Sequence, residues 1–369
     1  MSDAKRSATV VGAGAGGQGM AGYLVRKGFN VRLWNRPEPS ELERWLKPIA
    51  DAGQLEIIGW QPGMVSIDRA STELAETTDG ASVVFVITTA DAYPSLAREM
   101  ASVLSAGQMV VLMSGGTGAS LEFRAAFVAA GGAPGVLVAE ATTTIVNSRP
   151  AGPGKVEILG EKRRVEFAAL PSSQTARALQ LVQGLPFVAV SDVLSTGITN
   201  YSVAVHALPM VLNAAWLEDR PAGFLYYRQG ISPAVARAIE RVEAERLALA
   251  SALGVETTTL QSYLVDSLGA PPGDLYTSVH ECGIYATVPA PPALDHRYLW
   301  EDVMTGVVPM VGLGRALNVP VPLMEATLTL ASALLGRDLA SRGRTLEKLG
   351  LAGLDARGIR ELVRGSDTA

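Results

Sequence analysis

Short apolar runs alternate with helix-forming segments along the first half of the chain. The run at residues 83–87 is continuously apolar, and the run at 108–113 is apolar after Gln108, as is typical of parallel strands that are covered on both faces. Shorter runs predict further strands at residues 8–11, 30–34 and 136–138. Strands that alternate with helices in this way predict an α/β fold built on a doubly wound parallel sheet.

The pattern changes after Glu140, where prolines and glycines divide the chain into shorter pieces. Three short strands are predicted there, at residues 142–146, 155–159 and 164–168. We expect all three to extend the same sheet. From about residue 194 onward the apolar spacing becomes helical nearly to the end of the chain.

Helices dominate the predicted second half. The spacing predicts a long helix at residues 203–217 and another at residues 302–317. Ser232 and Pro233 form a typical N-cap and first-position pair at the start of a further helix. In the first half, Pro48 is expected to end a short helix, because proline cannot continue the hydrogen-bond ladder.

A glycine-rich turn follows the first predicted strand, since residues 12–17 read Gly-Ala-Gly-Ala-Gly-Gly. Gly12 permits the tight turn, Gly14 lets the backbone approach a pyrophosphate, and Gly17 lets the next helix pack close to the strand. Free N–H groups at the start of that helix would face the phosphates. The pattern therefore predicts a dinucleotide-binding turn, and the alternative is a glycine-rich turn without a ligand.

These elements predict an N-terminal doubly wound Rossmann domain at residues 1–190 and an all-helical substrate and catalytic domain at residues 191–369. The substrate is expected between the two domains, near the carboxyl ends of the strands. No metal site is expected. The expected cofactor-binding residues follow the predicted strands at residues 8–11, 30–34 and 83–87; they are Gly12, Gly14, Ala15, Gly16, Gly17, Asn35, Arg36, Thr88 and Thr89.

The end of the second strand indicates which nicotinamide cofactor is preferred. An NAD-selective site usually has an acidic residue there to bind the ribose 2′-hydroxyl. This chain has Trp34, Asn35 and Arg36 instead, and the guanidinium of Arg36 could pair with a 2′-phosphate. We therefore expect NADP to be preferred, with NAD possible; the alternative is that Arg36 is merely solvated and that both cofactors work.

Composition and charge argue against several other kinds of protein, including nucleic-acid-binding, disulfide-bonded and membrane proteins. Hydrophobic residues make up 48% and charged residues 18% of the chain, and the net charge of −5 argues against a nucleic acid partner. Cys282 is the only cysteine, so an intramolecular disulfide is impossible. The first residues lack a secretory apolar segment, and no uncharged apolar run reaches the roughly 18 residues of a membrane span. We expect a soluble cytoplasmic protein with no membrane partner, and a homodimer is one assembly open to it.

Two groups of residues could carry chemistry. His206 lies in the predicted helix at residues 203–217, with Asn213 on the same face, and could be a proton donor or simply a core histidine. Residues 295–302 place Arg297 and Asp302 near the start of a helix. Arg297 could grip a carboxylate and Asp302 could orient a histidine, whereas the alternative is a helix cap with a surface salt bridge. His280 and His296 could be plain surface residues.

Several runs resemble the octopine/nopaline (opine) dehydrogenase family, namely residues 200–206, 297–309, 313–322 and 343–351. In that family a His–Asp pair works on the reacting centre and an arginine binds the keto-acid carboxylate. The resemblance implies that His206, Asp302 and Arg297 take these roles. One departure is that the family's histidine is usually followed directly by proline, whereas here Ala207 intervenes and proline comes later, at position 209.

The resemblance implies the reductive condensation of an α-keto acid with the amino group of an amino acid or other amine. The imine would be reduced by hydride from NAD(P)H, and the reverse oxidation is implied too. His206 would act as a proton relay, Asp302 would fix and charge it, and Arg297 would hold the keto acid. Asn200 would contact the substrate, or alternatively would cap a helix.

Two other functions fit parts of the sequence. A ketopantoate- or glycerol-phosphate-like reductase shares the glycine turn and the two-domain plan, but such enzymes rely on a lysine in the helical domain. Residues 191–343 contain no lysine, which argues strongly against them. A non-catalytic NAD(P)-binding protein is the other alternative; it would bind NADPH without turnover.

Overall fold

The computed structural model describes residues 6–365, so residues 1–5 and 366–369, the outermost ends of the two predicted domains, lie outside the described residues. Contacts divide the chain into two units. The first contains the chain up to Gly115 together with Ala119–Val193, and the second contains Gly116–Gly118 and the chain from Leu194 onward.

Twelve strands are described. In chain order they are β1 (Ser7–Val11), β2 (Asn30–Trp34), β3 (Gln54–Gly59), β4 (Gly63–Ser66), β5 (Arg69–Ser71), β6 (Val83–Val86), β7 (Met109–Met113), β8 (Leu137–Ala141), β9 (Val146–Gly152), β10 (Lys155–Glu161), β11 (Val165–Leu170) and β12 (Phe187–Ala189).

The main sheet has eight strands in the order β12-β11-β8-β7-β6-β1-β2-β5. Six of them, from β8 to β5, are parallel, and the edge pair β11 and β12 runs in the opposite direction. Successive residues of β6 and β7 point to opposite faces, and each face packs into its own apolar cluster. This two-sided burial explains why the strands are continuously apolar, and the predicted fold class is confirmed.

The expectation that all three strands after Glu140 extend the main sheet is wrong. Only β11 joins it, whereas β9 and β10 form a separate four-stranded sheet in the order β4-β3-β10-β9. In that sheet β10 is parallel to β3 and antiparallel to β9. Residues 142–145 lie outside any strand. A strand whose apolar and polar residues alternate can be recognised as buried on one face, but the pattern does not show which sheet it joins.

The helices of the first half lie between these strands. They are α1 (Ala15–Arg26), α2 (Pro39–Glu41), α3 (Lys47–Ala52), α4 (Leu74–Thr78), α5 (Tyr93–Ala101), α6 (Ala119–Ala129) and α7 (Thr175–Leu181).

From residue 193 onward the regular elements of the described residues are helical, apart from one isolated bridge between Leu225 and Pro289. The helices are α8 (Val193–Ile198), α9 (Leu208–Leu212), α10 (Ala214–Asp219), α11 (Tyr226–Gly230), α12 (Pro233–Leu253), α13 (Leu260–Ser262), α14 (Leu275–Glu281), α15 (Arg297–Asp302), α16 (Val308–Leu317), α17 (Pro322–Leu335), α18 (Leu339–Arg342) and α19 (Ala356–Arg364).

The long helix predicted at residues 203–217 is divided into three pieces. A π-helical segment, Val203–Ala207, comes first, then α9, and then α10 after a break at Asn213. The helix predicted at residues 302–317 likewise contains a π-helical segment, Val303–Val307, before α16. A π-turn adds one residue to the turn, so helical spacing counted across it no longer identifies residues on one face.

Proline follows three of the four π-helical segments of the described residues. Pro48, Pro209 and Pro309 stand two residues after the ends of Leu42–Leu46, Val203–Ala207 and Val303–Val307, whereas Tyr263–Ser267 has no proline at that position. Proline lacks an N–H group and its ring clashes with the carbonyl group one turn back, and a wider turn relieves both problems. The prediction that Pro48 ends its helix is therefore wrong, because α3 continues to Ala52.

A buried arginine ties the segment before the Val203–Ala207 turn to the long helix α12. Arg246 has no exposed surface, and its guanidinium lies 2.6 Å from a carboxylate oxygen of Glu243. It also donates to the carbonyl oxygen of Ile198 at 2.9 Å and covers the ring of Tyr201 at 4.9 Å. A buried charge is tolerated when it is paired and hydrogen-bonded in this way.

Among the described residues, no helix has both the length and the apolar character needed to cross a membrane.

Candidate active site

The cofactor-binding residues expected from the sequence lie at one edge of the main sheet. Strand β1 lies between β6 and β2, so the strand order reverses at this point. Ligands of open α/β sheets bind beyond the carboxyl ends of the strands at such a reversal. Gly12, Thr88 and Asn35 follow the carboxyl ends of β1, β6 and β2.

The glycine turn has the geometry that a bound pyrophosphate requires. Gly12 adopts a φ of +106°, and a Cβ there would collide with the carbonyl oxygen of Ile87. A Cβ on Gly17 would collide with the carbonyl oxygen of Gly12, so the third glycine allows α1 to approach the turn. A Cβ on Gly14 would meet nothing within 4 Å, and no side chain in the described chain caps α1. Open space thus faces uncapped N–H groups, which fits a phosphate ligand.

The residues after β2 and β6 complete this edge. The side-chain oxygen of Asn35 accepts a hydrogen bond from the N–H of Ala13 at 3.0 Å, which ties the end of β2 to the glycine turn. The exposed guanidinium of Arg36 donates to the hydroxyl of Ser95 on α5. Thr88 donates to the carbonyl oxygen of Thr89 at 3.1 Å. Ser95 was not among the residues expected from the sequence, because no motif marks it.

In the second unit, the structure brings together two residues that lie far apart in the sequence. Nδ1 of His206 lies 2.8 Å from Oδ2 of Asp302, and each side chain is 18% exposed. A carboxylate that accepts from Nδ1 fixes the imidazole tautomer and leaves Nε2 for proton exchange.

The π-helical segments position this pair. His206 lies within Val203–Ala207, and Asp302 directly precedes Val303–Val307. The segments pack closely, since a Cβ on Gly306 would stand 2.5 Å from a methyl group of Val203. The proline two residues after the first segment thus accompanies a widened turn that carries the histidine. Turns of this kind are frequent at functional sites.

Three tyrosines surround His206. The ring of Tyr298 stacks on the imidazole at 3.8 Å with a 5° angle between the planes, and the hydroxyl of Tyr227 lies 3.0 Å from Nε2. Tyr226 donates to the main-chain oxygen of His206 at 2.9 Å. Burial raises the pKa values of Tyr226 and Tyr227 well above their ordinary range. Sequence reasoning missed Tyr226 and Tyr227 because they begin the short helix α11, where no periodicity marks them.

Arg297 begins the helix that ends at Asp302. Its guanidinium lies 3.7 Å from a carboxylate oxygen of Glu301, and 58% of its side chain is exposed. This ion pair is the one that the salt-bridge alternative predicts, but 3.7 Å is beyond hydrogen-bonding distance. Asp295, the other possible acidic partner, pairs with Arg337. More than half of the Arg297 side chain is therefore exposed.

His296 caps the helix that carries Arg297 and Asp302. Its Nδ1 accepts a hydrogen bond from the N–H of Tyr298 at 3.2 Å. Burial, with further contributions from Arg297 and His206, lowers the pKa of His296 below its ordinary value. The lowered pKa favours the neutral ring, which the cap requires because only an unprotonated nitrogen can accept.

The other candidates occupy different positions. Asn200 accepts from the N–H of Ser202 at 3.2 Å, as expected of a cap, whereas its buried Nδ2 has no hydrogen-bond partner among the described residues. Asn213 donates to the carbonyl oxygens of Pro209 and Gly230, and its place on the same face as His206 stays a prediction. His280 bonds to the carbonyl oxygen of Ile231 at 2.9 Å.

Two family models match the chain. The one described as "NAD/NADP octopine/nopaline dehydrogenase, alpha-helical domain" matches residues 189–335. The one described as "Ketopantoate reductase PanE/ApbA" matches residues 8–172.

Known proteins resemble the chain over almost its whole length. An opine dehydrogenase of Arthrobacter sp. (strain 1C) is 38% identical, over 96% of this chain and 98% of its own length. A structure of octopine dehydrogenase with NADH and L-arginine matches with a TM-score of 0.77 at 20% identity, over 99% of this chain and 100% of the other. NADP⁺-bound yersinopine dehydrogenase matches with a TM-score of 0.73 at 19% identity, over 98% of both chains.

Proposed function

The chain belongs to the opine dehydrogenase family, and from this premise we propose that it joins an α-keto acid to the amino group of an amino acid and reduces the resulting imine. The enzyme is an NAD(P)-dependent dehydrogenase that acts on a CH–NH group. The observation that carries the proposal is the 2.8 Å contact between His206 and Asp302, on the helices where the family resemblance expects a proton-handling pair.

The residues of this chain supply binding and proton transfer. A nicotinamide cofactor, when bound, supplies the hydride; the glycine turn from Gly12 to Gly17 and the start of α1 would hold its phosphates. Arg297 would bind the keto-acid carboxylate through two parallel N–H groups. His206 would protonate the hydroxyl group that leaves as water when the imine forms, while Asp302 holds the ring and its positive charge.

What known relatives bind supports both substrates and the cofactor. One octopine dehydrogenase structure contains NADH and L-arginine, an amino acid with a free amino group, and another contains NADH and pyruvate, a keto acid. The yersinopine dehydrogenase structure contains NADP⁺. An amino acid and a keto acid are therefore the first substrates to test with this chain.

A ketopantoate-type reductase is less well supported. Its family model matches only residues 8–172, which form the part of the chain that carries the glycine turn. Residues 191–343, which include every helix from α9 to α18, contain no lysine that could serve as the catalytic group of such an enzyme.

The proposal is tested with a matrix of keto acids and amino acids. The purified protein is mixed with NADPH or NADH, and oxidation of the cofactor is followed by absorbance while products are identified by mass spectrometry. We expect oxidation only when both substrates are present, with a product whose mass equals that of the N-carboxyalkyl amino acid. Oxidation with ketopantoate alone would favour the reductase, and tight NADPH binding without turnover would favour a non-catalytic protein.

We also propose that NADPH is preferred over NADH. Arg36 is exposed just beyond β2, it is held by Ser95, and neither Asn35 nor Trp34 carries a charge that would repel a 2′-phosphate. Arg36→Ala should raise KM for NADPH far more than KM for NADH, as steady-state kinetics with each cofactor will show.

Arg69→Ala provides the matched control for that prediction. Arg69 is also a partly exposed arginine of the first unit, but it lies in β5 and pairs with Glu76. We expect this variant to leave both KM values nearly unchanged. Equal effects of Arg36→Ala on the two cofactors, or a preference of the unmodified enzyme for NADH, would contradict the assignment.

Compartment and assembly remain part of this proposal. Cys282, the only cysteine of the chain, is buried, which suits a reducing compartment such as the cytoplasm.

A homodimer would need exposed apolar surface. Leu330 and Leu334, which lie one helical turn apart on α17, are 49% and 43% exposed and would supply part of it.

A further inference from the structure

His206 is held at both ring nitrogens. Nδ1 faces Asp302 at 2.8 Å, and Nε2 faces the hydroxyl of Tyr227 at 3.0 Å. When Nδ1–H donates to Asp302, the neutral ring has one lone pair, on Nε2, and Tyr227 O–H donates to it. In the protonated ring the bond reverses, and Nε2–H donates to the Tyr227 oxygen. Tyr227 therefore stands where a proton leaves His206.

Tyr227 is enclosed on more than one side. Only 4% of the residue is exposed, and its ring stacks on that of Tyr285 with the centroids 3.8 Å apart and an angle of 9°. The ring of Tyr226 meets it at 5.1 Å and 89°. Rotation out of this packing would expose a large apolar ring and disrupt both ring contacts. The hydroxyl therefore stays at Nε2.

The Tyr227 hydroxyl can receive one proton while it passes on another. A phenol is both donor and acceptor, so the hydroxyl that faces Nε2 can make a second hydrogen bond at the same time. Burial, together with the nearby tyrosines and Asp302, raises the pKa of Tyr227 well above its ordinary value. A free tyrosinate is therefore unfavourable, and gain and loss of the proton must occur together.

We propose that Tyr227 is a further catalytic residue, through whose hydroxyl His206 delivers its proton to the reacting centre. This inference rests on the proposed function. As the Nε2–H bond of the imidazolium breaks, an O–H bond forms on Tyr227, and the original O–H proton of Tyr227 bonds to the hydroxyl oxygen of the keto acid–amine adduct. The C–O electron pair leaves with water, the nitrogen lone pair forms the C=N bond, His206 becomes neutral, and Tyr227 is unchanged.

The test compares Tyr227→Phe with Tyr226→Phe. Both variants lose one hydroxyl beside His206. The hydroxyl of Tyr226 bonds to the main-chain oxygen of His206, whereas that of Tyr227 bonds to the imidazole ring. With saturating substrates, Tyr227→Phe should lower kcat by about 10²–10⁴-fold, the range for loss of a general acid. Tyr226→Phe should lower it by only a few-fold. Cofactor binding and Tm of both variants confirm that they are folded.

Nonadditivity separates proton transfer from structural support. Once His206 is replaced by alanine, a further Tyr227→Phe change should cost little, because both residues serve one transfer. If Tyr227→Phe lowered kcat as strongly in the His206→Ala background as in the unmodified enzyme, the relay would be overturned. A kcat for Tyr227→Phe within a few-fold of the unmodified enzyme would overturn it too, because the substrate would then take the proton directly from Nε2.

A readout independent of turnover tests the contact on which the relay depends. In protein labelled with ¹⁵N-histidine, the Nε2 resonance of His206, assigned by its loss in His206→Ala, should move in Tyr227→Phe and stay in place in Tyr226→Phe. An Nε2 resonance that is insensitive to Tyr227→Phe would overturn the relay even in an active enzyme. Absence of turnover by the unmodified enzyme, with the resonance shifting as expected, would instead overturn the proposed function.

Discussion

Replacement of His206 by alanine is expected to lower kcat by about 10²–10⁴-fold, the usual contribution of general acid–base catalysis. The imidazole lies in hydrogen-bonding distance of Asp302 and is only 18% exposed, so water cannot easily take its place. KM for the cofactor should change little, because the predicted cofactor residues belong to the first unit. Steady-state kinetics in the direction of imine reduction provide the measurement.

His280→Ala is the control for this prediction. His280 also lies in a helix of the second unit, but its ring bonds to the carbonyl oxygen of Ile231 rather than to a carboxylate. We expect it to retain nearly full activity. If His206→Ala did so as well, His206 would be a histidine of the core with no part in the reaction.

Asp302 is expected to act with His206 as one unit. Asp302→Asn keeps the size of the side chain, but a neutral amide no longer stabilises the positive charge on the ring, so kcat should fall while cofactor binding persists. The double variant His206→Ala/Asp302→Asn should be little worse than His206→Ala alone, because residues that act on one proton are nonadditive. Fully additive losses would show that the two residues act independently.

The sequence predicted the main sheet well because its strands are buried on both faces. Such strands are expected to be continuously apolar, as β6 and β7 are. The second sheet was not predicted. A strand was predicted at residues 142–146, whereas β9 runs over Val146–Gly152, and the other partner of β10 is β3, which lies far earlier in the chain. Pairing between distant segments depends on tertiary packing, which local spacing does not encode.

Two prolines that a helix-breaking rule would place at helix ends lie within helical structure instead. Pro48 was read as a helix end and Pro209 as a departure from the family motif. Each instead follows a π-helical segment inside continuous helical structure. Because a wider turn adds a residue to the helix, the spacing between His206 and Asn213 does not by itself establish a shared face.

The candidate site was predictable only where side chains could be matched by motif. His206 and Asp302 were paired by resemblance, and the structure places them in contact. Tyr227 could not be found this way. Its position at Nε2 depends on how α11 packs, and a tyrosine in a short helix has many structural uses. For Arg297 the structure fits both explanations, since its guanidinium lies near Glu301 while most of its side chain is exposed.

Arg297→Lys is expected to raise KM for the keto acid markedly while KM for NADPH stays almost constant. A carboxylate has two acceptor oxygens, and the planar guanidinium meets both with parallel N–H groups, whereas lysine keeps the charge but loses the fork. Some loss of kcat should accompany the change, because a tilted substrate holds its reacting carbon away from the hydride. Kinetics with each substrate varied in turn separate these effects.

Arg297→Ala should have the larger effect, more than tenfold in kcat/KM for the keto acid. Hydrogen bonds to charged groups contribute roughly 1.5–3 kcal/mol each, and about 1.4 kcal/mol corresponds to a factor of ten. The competing explanation is that Arg297 serves only its neighbour Glu301, 3.7 Å away. An exposed pair of that kind contributes less than about 1 kcal/mol to stability, and its loss would leave the kinetics unchanged.

Arg337→Ala distinguishes the two explanations for Arg297. Arg337 is also a partly exposed arginine of the second unit, and it pairs with Asp295, two residues before Arg297. It should behave as a surface ion pair, with a small change in Tm and no change in KM for the keto acid. If Arg297→Ala gave the same result as this control, Arg297 would be a surface residue and the carboxylate would be held elsewhere. A rise in keto-acid KM confined to the Arg297 variants, with KM for the amino acid unchanged, would instead identify the guanidinium as the group that binds the keto acid. Both substrates carry a planar carboxylate that a guanidinium can bind, so the two KM values together show which carboxylate it holds.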